Sequence, residues 1–234
     1  MTASTFNSVV LLDFDGTVLQ HNVFEPQAIA LCIGIEQTFH VAVDRNSTDW
    51  TGKTDLQLAR ELLAGRGDFD AGLEAYKANY YKAFLDQYPF PVPVRDGWMD
   101  TLPELSRGFR TALVTGNILS ICLAKISGAG LKDAWLGLDR SAFGNDAEKR
   151  ADLVRIALER SKTTDAVLVG DTWRDIEAAH ANNIPAIGLV TEKHSAEELG
   201  EAEWIANSPQ EVLALVRDQI GSHTDPTTRI SQRN

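Results

Sequence analysis

Apolar and polar positions fall into two alternating kinds of block along the chain. Short, continuous apolar runs rich in β-branched residues end abruptly in small or acidic ones: "SVVLLDF" (8–14), "TALVTGN" (111–117), "DAVLVGD" (165–171) and "IPAIGLV" (184–190). Runs of this length without alternation predict strands buried on both faces. Between them, "ILSICLAKISGAG", "KRADLVRIALERS" and "TWRDIEAAHANN" carry apolar residues at helical spacing. "SPQEVLALVRDQI" opens with Ser208, Pro209 and Glu211, a capping-box pattern that predicts a final helix. Strand–helix alternation of this kind predicts an α/β fold, a doubly wound parallel sheet with a Rossmann-like core.

From about His21 to Arg95 the alternation stops. "PQAIALCIGIEQTFH", "TDLQLARELLAG" and "GLEAYKANYYKAFLDQ" read as helices in succession, with Thr54 and Gln57 as a second capping box. Pro89, Pro91 and Pro93 then form a stiff extended linker. The expected organisation is a catalytic core over 1–20 and 96–220, with a small helical cap over 21–95 inserted after the first strand. The tail 221–234 has no apolar period and is expected to be disordered. No internal repeat is visible.

Composition narrows the function classes. With 234 residues, the chain holds one large domain, or one with a smaller insertion. A net charge of −11 argues against nucleic acid and anionic membrane surfaces as general partners. It leaves a small anionic substrate open, because a metal or a local Lys or Arg reverses the field in a cleft. Cys32 and Cys122 are too few for a disulfide framework or a thiolate metal site. No stretch reaches membrane-spanning length, and the N-terminus lacks the basic region of a signal peptide. A cytoplasmic monomer or homodimer is the expectation.

In an open parallel sheet, ligands bind outside the carboxyl ends of the strands. Those ends carry Asp13 and Asp15; Thr115, Gly116 and Asn117; then Gly170, Asp171 and Thr172, with Asp175 one helical turn on. In extended chain, Asp13 and Asp15 point to one side and Phe14 to the other, while Gly16 permits a tight turn. Gathered carboxylates repel one another unless a cation sits among them. Oxygen donors without His or Cys suit a hard ion, commonly Mg²⁺, which shares its shell with substrate phosphate. The donor set therefore points to phosphate chemistry. Each piece has a plainer reading: "DGT" as a solvated turn, Asp171 and Asp175 as helix N-terminal charges, Thr115 as a helix cap. Their convergence on three strand ends favours a site. The histidines (21, 40, 180, 194 and 223) are scattered and receive no role, and the tryptophans (50, 98, 135, 173 and 204) read as packing residues.

"DFDGT", "VTGN", a basic residue opening a later helix, and "GDTWRD" resemble, in order and spacing, the four motifs of the haloacid dehalogenase-like hydrolase superfamily. The likeness spans residues 8 to 220, and the helical insert resembles that family's small cap. The branch resembled is that of phosphoglycolate phosphatase. The resemblance implies Asp13 as a nucleophile forming an aspartyl-phosphate and Asp15 as acid, then base. It implies Mg²⁺ on the Asp13 carboxylate, the Asp15 carbonyl and Asp171, with Asp175 in support behind them. Thr115, the Gly116 amide and Asn117 would hold phosphoryl oxygens. The family's usual basic motif is Lys-Pro; here "DAEKRADLVRIAL" has no proline, and Lys149 and Arg150 both qualify. Counting back from the apolar residues of the following helix favours Arg150, and Lys149 stays open. In related caps a turn like "DWTGKTD" (49–55) faces the site. Lys53 is therefore a candidate contact to an anionic substrate, against the reading of a plain loop lysine, and His21 and Asn22 are candidates at the entrance.

The implied activity is hydrolysis of a small phosphorylated metabolite. The alternatives are a phosphosugar mutase of the same superfamily and a catalytically silent phosphate-binding module. Asp15 argues against carbon–halogen and phosphonate hydrolases, whose branches lack that acid.

Overall fold

The structure, a computed structural model, describes residues 8–20, 24–88 and 90–220. Five strands form one parallel sheet: β1 (Val9–Leu12), β2 (Arg110–Leu113), β3 (Ala166–Gly170), β4 (Ala186–Leu189) and β5 (Trp204–Ala206), in the order β2-β1-β3-β4-β5. Leu12 pairs with Leu113 on one side and Val169 on the other, so the carboxyl ends of the three strands finish level. Alternate residues of β1 enter opposite halves of the core. Val9 and Leu11 pack with α7 (Arg150–Ser161) and α8 (Trp173–His180). Val10 and Leu12 pack with α4 (Trp98–Gly108), α5 (Leu119–Gly128) and α9 (Pro209–Gln219). Covering both faces makes the strands apolar without interruption, and the sheet is the doubly wound one that the alternation predicts.

Helices α1 (Phe24–Phe39), α2 (Asp55–Leu63) and α3 (Phe69–Gln87) follow β1 with only a 3₁₀ turn at Arg45–Ser47 between them. Leu31, Ile35, Tyr76, Tyr80 and Phe84 of α1 and α3 are buried in the same apolar cluster as Leu12 and Leu113. These helices thus share the core of the sheet. The two chain crossings that join them to the rest lie side by side: Gln20 N–H donates to Pro93 at 3.1 Å and Arg95 N–H to Val18 at 2.9 Å. The expected tail at 221–234, the entrance residues His21 and Asn22, and Pro89 of the linker lie outside the described residues.

Several local expectations change. Thr54 caps α2 by accepting from Gln57 N–H at 3.2 Å, but the Gln57 amide turns to Glu61 at 3.0 Å, so this is half a box. Ser208 likewise accepts from Glu211 N–H at 3.2 Å, while the Glu211 carboxylate accepts from Asn207 N–H at 2.8 Å. The complete box is at Thr172 and Asp175. Besides the 3₁₀ turn, three elements have no counterpart in the predicted set: α4, the short α6 (Asp133–Leu136) and β5. α4 contains Pro103, and burial of Trp98, Leu102 and Leu105 on one face outweighs the lost hydrogen bond. β5 spans three residues, too few to show a pattern.

Candidate active site

Asp13 follows β1, and its amide continues the ladder by donating to Val169 at 2.9 Å. Its carboxylate is buried. Thr17 Oγ1 lies 3.0 Å from Asp13 Oδ2 and 3.1 Å from Asp171 Oδ1, so one hydroxyl bridges two strand ends. Thr17 is placed by a turn through Gly16, whose φ of +93° is one that L side chains rarely adopt. The buried Trp98 indole holds the same turn by donating to the Thr17 carbonyl at 2.6 Å.

Arg150, the first residue of α7, is the cation on Asp13: its Nη2 donates to Asp13 Oδ1 and its Nε to Asp175 Oδ1 at 2.5 Å. Lys149, one residue earlier, is exposed and does not line the cavity. Asp175 Oδ2 accepts from the Thr172 amide at 3.1 Å and its hydroxyl at 2.7 Å. Both Asp175 oxygens are thereby engaged, and this aspartate braces α8 and Arg150. Burial pushes Asp13 well above the ordinary carboxylate range. Arg150 opposes the shift, while Asp175, Asp171 and Asp15 add to it. Burial alone would lower the Arg150 guanidinium, but Asp175 and Asp13 outweigh it and hold it charged.

The donor set fits a hard cation. Asp13, Asp171 and Asp175 are all buried, each with a ligand oxygen within 4.8 Å of the others. Arg150 pairs with Asp13 and Asp175, and the third carboxylate, Asp171, lies 3.1 Å from the Thr17 hydroxyl. Three carboxylates gathered this closely suit a divalent ion with oxygen ligands.

Asp15 has different neighbours. Lys125 Nζ donates to its Oδ1 at 2.6 Å, and Asn117 Nδ2 donates to its Oδ2. Lys125 is wholly buried and reaches Asp15 from behind. Asn117 also donates to Thr115 Oγ1 at 2.8 Å, tying the loop after β2 to Asp15. Gly116 has no room for a side chain: a Cβ there would lie 2.6 Å from the Lys53 carbonyl oxygen. The chain at 53–55 rests on this glycine, and Asp55 N–H donates to its carbonyl at 2.8 Å.

The site opens onto one cavity of about 460 Å³. Asp13, Asp15, Thr115, Gly116, Asn117, Arg150 and Asp175 face it from the core. Trp50, Thr51, Gly52, Lys53 and Leu58 face it from the helical block. Trp50 is thus part of a cavity wall and not only a packing residue. Lys53 Nζ is engaged beside the cavity, donating to Glu61 at 2.6 Å and Thr48 at 3.0 Å.

Lys125 and Gln27 carry much of this geometry and are not among the residues read from the sequence; Thr17 and Asp55 lie inside the "DFDGT" and "DWTGKTD" stretches but received no role of their own. For Lys125 a signal exists: it falls on the buried stripe of α5 with Ile121, Cys122 and Ile126, where an unpaired lysine is not expected. Gln27 leaves no comparable mark.

The model of the haloacid dehalogenase-like hydrolase family matches residues 8–183, and a second, HAD-hydrolase-like model matches 149–218. No curated protein sequence matches the chain. Among solved structures it is similar to a predicted phosphatase from Clostridium acetobutylicum, at 21% identity and a TM-score of 0.66, over 90% of this chain and 98% of that one. It is similar to CbbY from Rhodobacter sphaeroides bound to xylulose-(1,5)bisphosphate, at 18% identity and a TM-score of 0.66, over 87% and 95%. A β-phosphoglucomutase from Clostridium difficile matches at 12% identity and a TM-score of 0.66, over 92% and 97%. At these identities the likeness is one of fold.

Proposed function

The chain belongs to the haloacid dehalogenase-like hydrolase family, and from that premise we propose that it is a Mg²⁺-dependent phosphatase acting on a small phosphorylated metabolite through an aspartyl-phosphate on Asp13. The observation that carries this reading is the pairing of Asp13 and Asp15 on one cavity wall, each with its own buried cation.

Asp13 attacks phosphorus and the ester oxygen departs, taking a proton from Asp15. Asp15, now a carboxylate, takes a proton from water as the water attacks the phosphorus; inorganic phosphate leaves and Asp13 is regenerated. Arg150 keeps Asp13 oriented and offsets charge on the phosphoryl group. Thr115, the Gly116 amide and Asn117 line the place of the phosphoryl oxygens. The Asp13 carboxylate, the Asp15 carbonyl and Asp171 would hold Mg²⁺. Bound there, the ion supplies the positive charge that lets an anionic carboxylate approach an anionic ester. The helical block, as a cap over 21–95, opens to admit substrate and closes to exclude water, with hinges near residues 19–21 and 93–96. Its Trp50, Lys53 and Leu58 lie against the leaving group and select it.

The test is hydrolysis of p-nitrophenyl phosphate by purified protein. Activity is expected to vanish with EDTA and return with Mg²⁺, and full activity in chelator would overturn the metal requirement.

A further inference from the structure

Lys125 is a fully buried lysine, and all its donors are used. Nζ donates to Asp15 Oδ1 at 2.6 Å, to Gln27 Oε1 at 2.5 Å and to Asn117 Oδ1 at 3.0 Å. Burying an ammonium is costly unless it is paired and hydrogen-bonded, so this geometry is strongly preferred. Lys125 does not line the cavity, whereas Asp15, with 35% of its side chain exposed, does. The lysine therefore acts on whatever happens in the cavity through its three acceptors, Asp15, Asn117 and Gln27, all of which line it.

One of the three acceptors belongs to the other block. Gln27 is on α1, and its Nε2 also lies 2.8 Å from Asn117 Oδ1 and 3.2 Å from Asp55 Oδ1. Asp55, the first residue of α2, accepts from the Ile118 amide at 2.8 Å. That amide stands at the N-cap of α5, the helix that carries Lys125, and the cap residue has no side-chain bond of its own. Asp55 thus shares the capping of α5 with Asn145 of the core, which accepts from the Leu119 amide at 2.5 Å. If the helical block moves off the core, Lys125 loses an acceptor, Asn117 a donor and the Ile118 amide its acceptor, all behind Asp15.

We propose that Lys125 is a positioning residue for Asp15, and that Gln27 and Asp55 make this placement depend on the helical block lying against the core. It rests on the reading of Asp15 as the acid that protonates the leaving oxygen. The chemistry at Asp15 is then organised when the cavity is closed and loosened when it is open.

The test uses two variants, Lys125→Met and Gln27→Leu, and two esters, p-nitrophenyl phosphate and glycerol 2-phosphate. A nitrophenolate leaves without help, whereas an alkoxide needs the proton. A mispositioned acid therefore penalises the alkyl ester selectively. In Lys125→Met, kcat/KM is expected to fall about 100-fold on glycerol 2-phosphate and less than about five-fold on the aryl ester. Gln27→Leu, which does not touch Asp15, is expected to show the same skew at about ten-fold. Equal losses on both esters, or no loss, overturn the proposal. Amide hydrogen exchange supplies a readout free of turnover: in Gln27→Leu, residues 15–19 and 117–121 are expected to exchange faster while 166–170 keep their protection. Unchanged exchange overturns the coupling to the helical block. A wild-type protein that hydrolyses neither ester sinks the phosphatase reading alone, and the exchange result then decides the coupling by itself.

Discussion

Asp13 and Asp15 stand two residues apart on the same loop, and each is matched to a buried cation, yet their surroundings differ in origin. Among the described residues, the side chains that bond Asp13 come from the sheet and one of its faces: Thr17 from the same loop and Arg150 from α7, itself braced by Asp175 on α8. Asp15 is held by Lys125 and Asn117 from the core, and both lean on Gln27 of α1. The groups that hold the proposed nucleophile belong to the core. The place of the proposed acid is a property of a junction. A motion of the helical block therefore reaches the partners of Asp15 directly, and those of Asp13 through the loop before Arg150, where Thr54 and Arg60 contact Glu148.

The largest effect is expected on the sheet side. Asp13→Asn keeps shape but removes the nucleophile, and kcat should fall by about 10³-fold or more on any ester, with circular dichroism unchanged. A variant that turns over at near-wild-type rate would take Asp13 out of the chemistry and dissolve the contrast. Next, Arg150→Ala should cost about 10²–10³ in kcat/KM on aryl and alkyl esters alike, because its charge serves the phosphoryl group and not the leaving oxygen. Lys149→Ala should stay within about two-fold, since an exposed charge at that distance is screened. The reverse outcome would exchange the two basic residues.

On the junction side the expected signal is in stability. Burial pushes Asp55 from 3.8 up to about 7, against the lowering effect of the Ile118 amide and Lys125. Between those values the folded protein holds a proton that the unfolded chain has released, so stability at this site falls as pH rises through the interval. Asp55→Asn cannot titrate. The wild-type fall in melting temperature from pH 4 to pH 7 should be shallower in this variant, by up to a few kcal/mol in unfolding free energy. Parallel pH profiles would mean that Asp55 is not held in this environment. The smallest effect is expected at Lys53. Its Nζ is already paired with Glu61 at 2.6 Å, a pair worth about 1 kcal/mol or less. Lys53→Ala should raise KM for a bulky anionic substrate a few-fold, about 1 kcal/mol at most, and leave the small aryl ester unchanged. No change on any substrate would remove Lys53 from substrate selection.

The contrast between the two carboxylates also marks where the sequence is readable. The strands carrying Asp13, Thr115 and Asp171 are legible because burial on both faces demands unbroken apolar runs, and ligand groups collect where such runs stop. Arg150 is half-legible: its place at the head of an amphipathic helix follows from period, but the choice over Lys149 turns on a rotation of about 100° around the helix axis. Lys125 sits on an apolar stripe with nothing nearby in sequence to explain it. Its partners Asp15 and Gln27 are 110 and 98 residues away. Gln27 and Asp55 look like ordinary polar residues at the start of helices.

What the chain determines locally is therefore the sheet, the helices and the acidic strand ends, since strand and helix periods and caps act over a few residues. What only the tertiary structure decided is which cation meets which carboxylate, and that Asp15 is shared between two blocks while Asp13 is not. The reason is physical. The worth of a buried charge depends on the partners that desolvate with it, and here those partners are brought together by the packing of α1, α2 and α5 and not by any spacing along the chain.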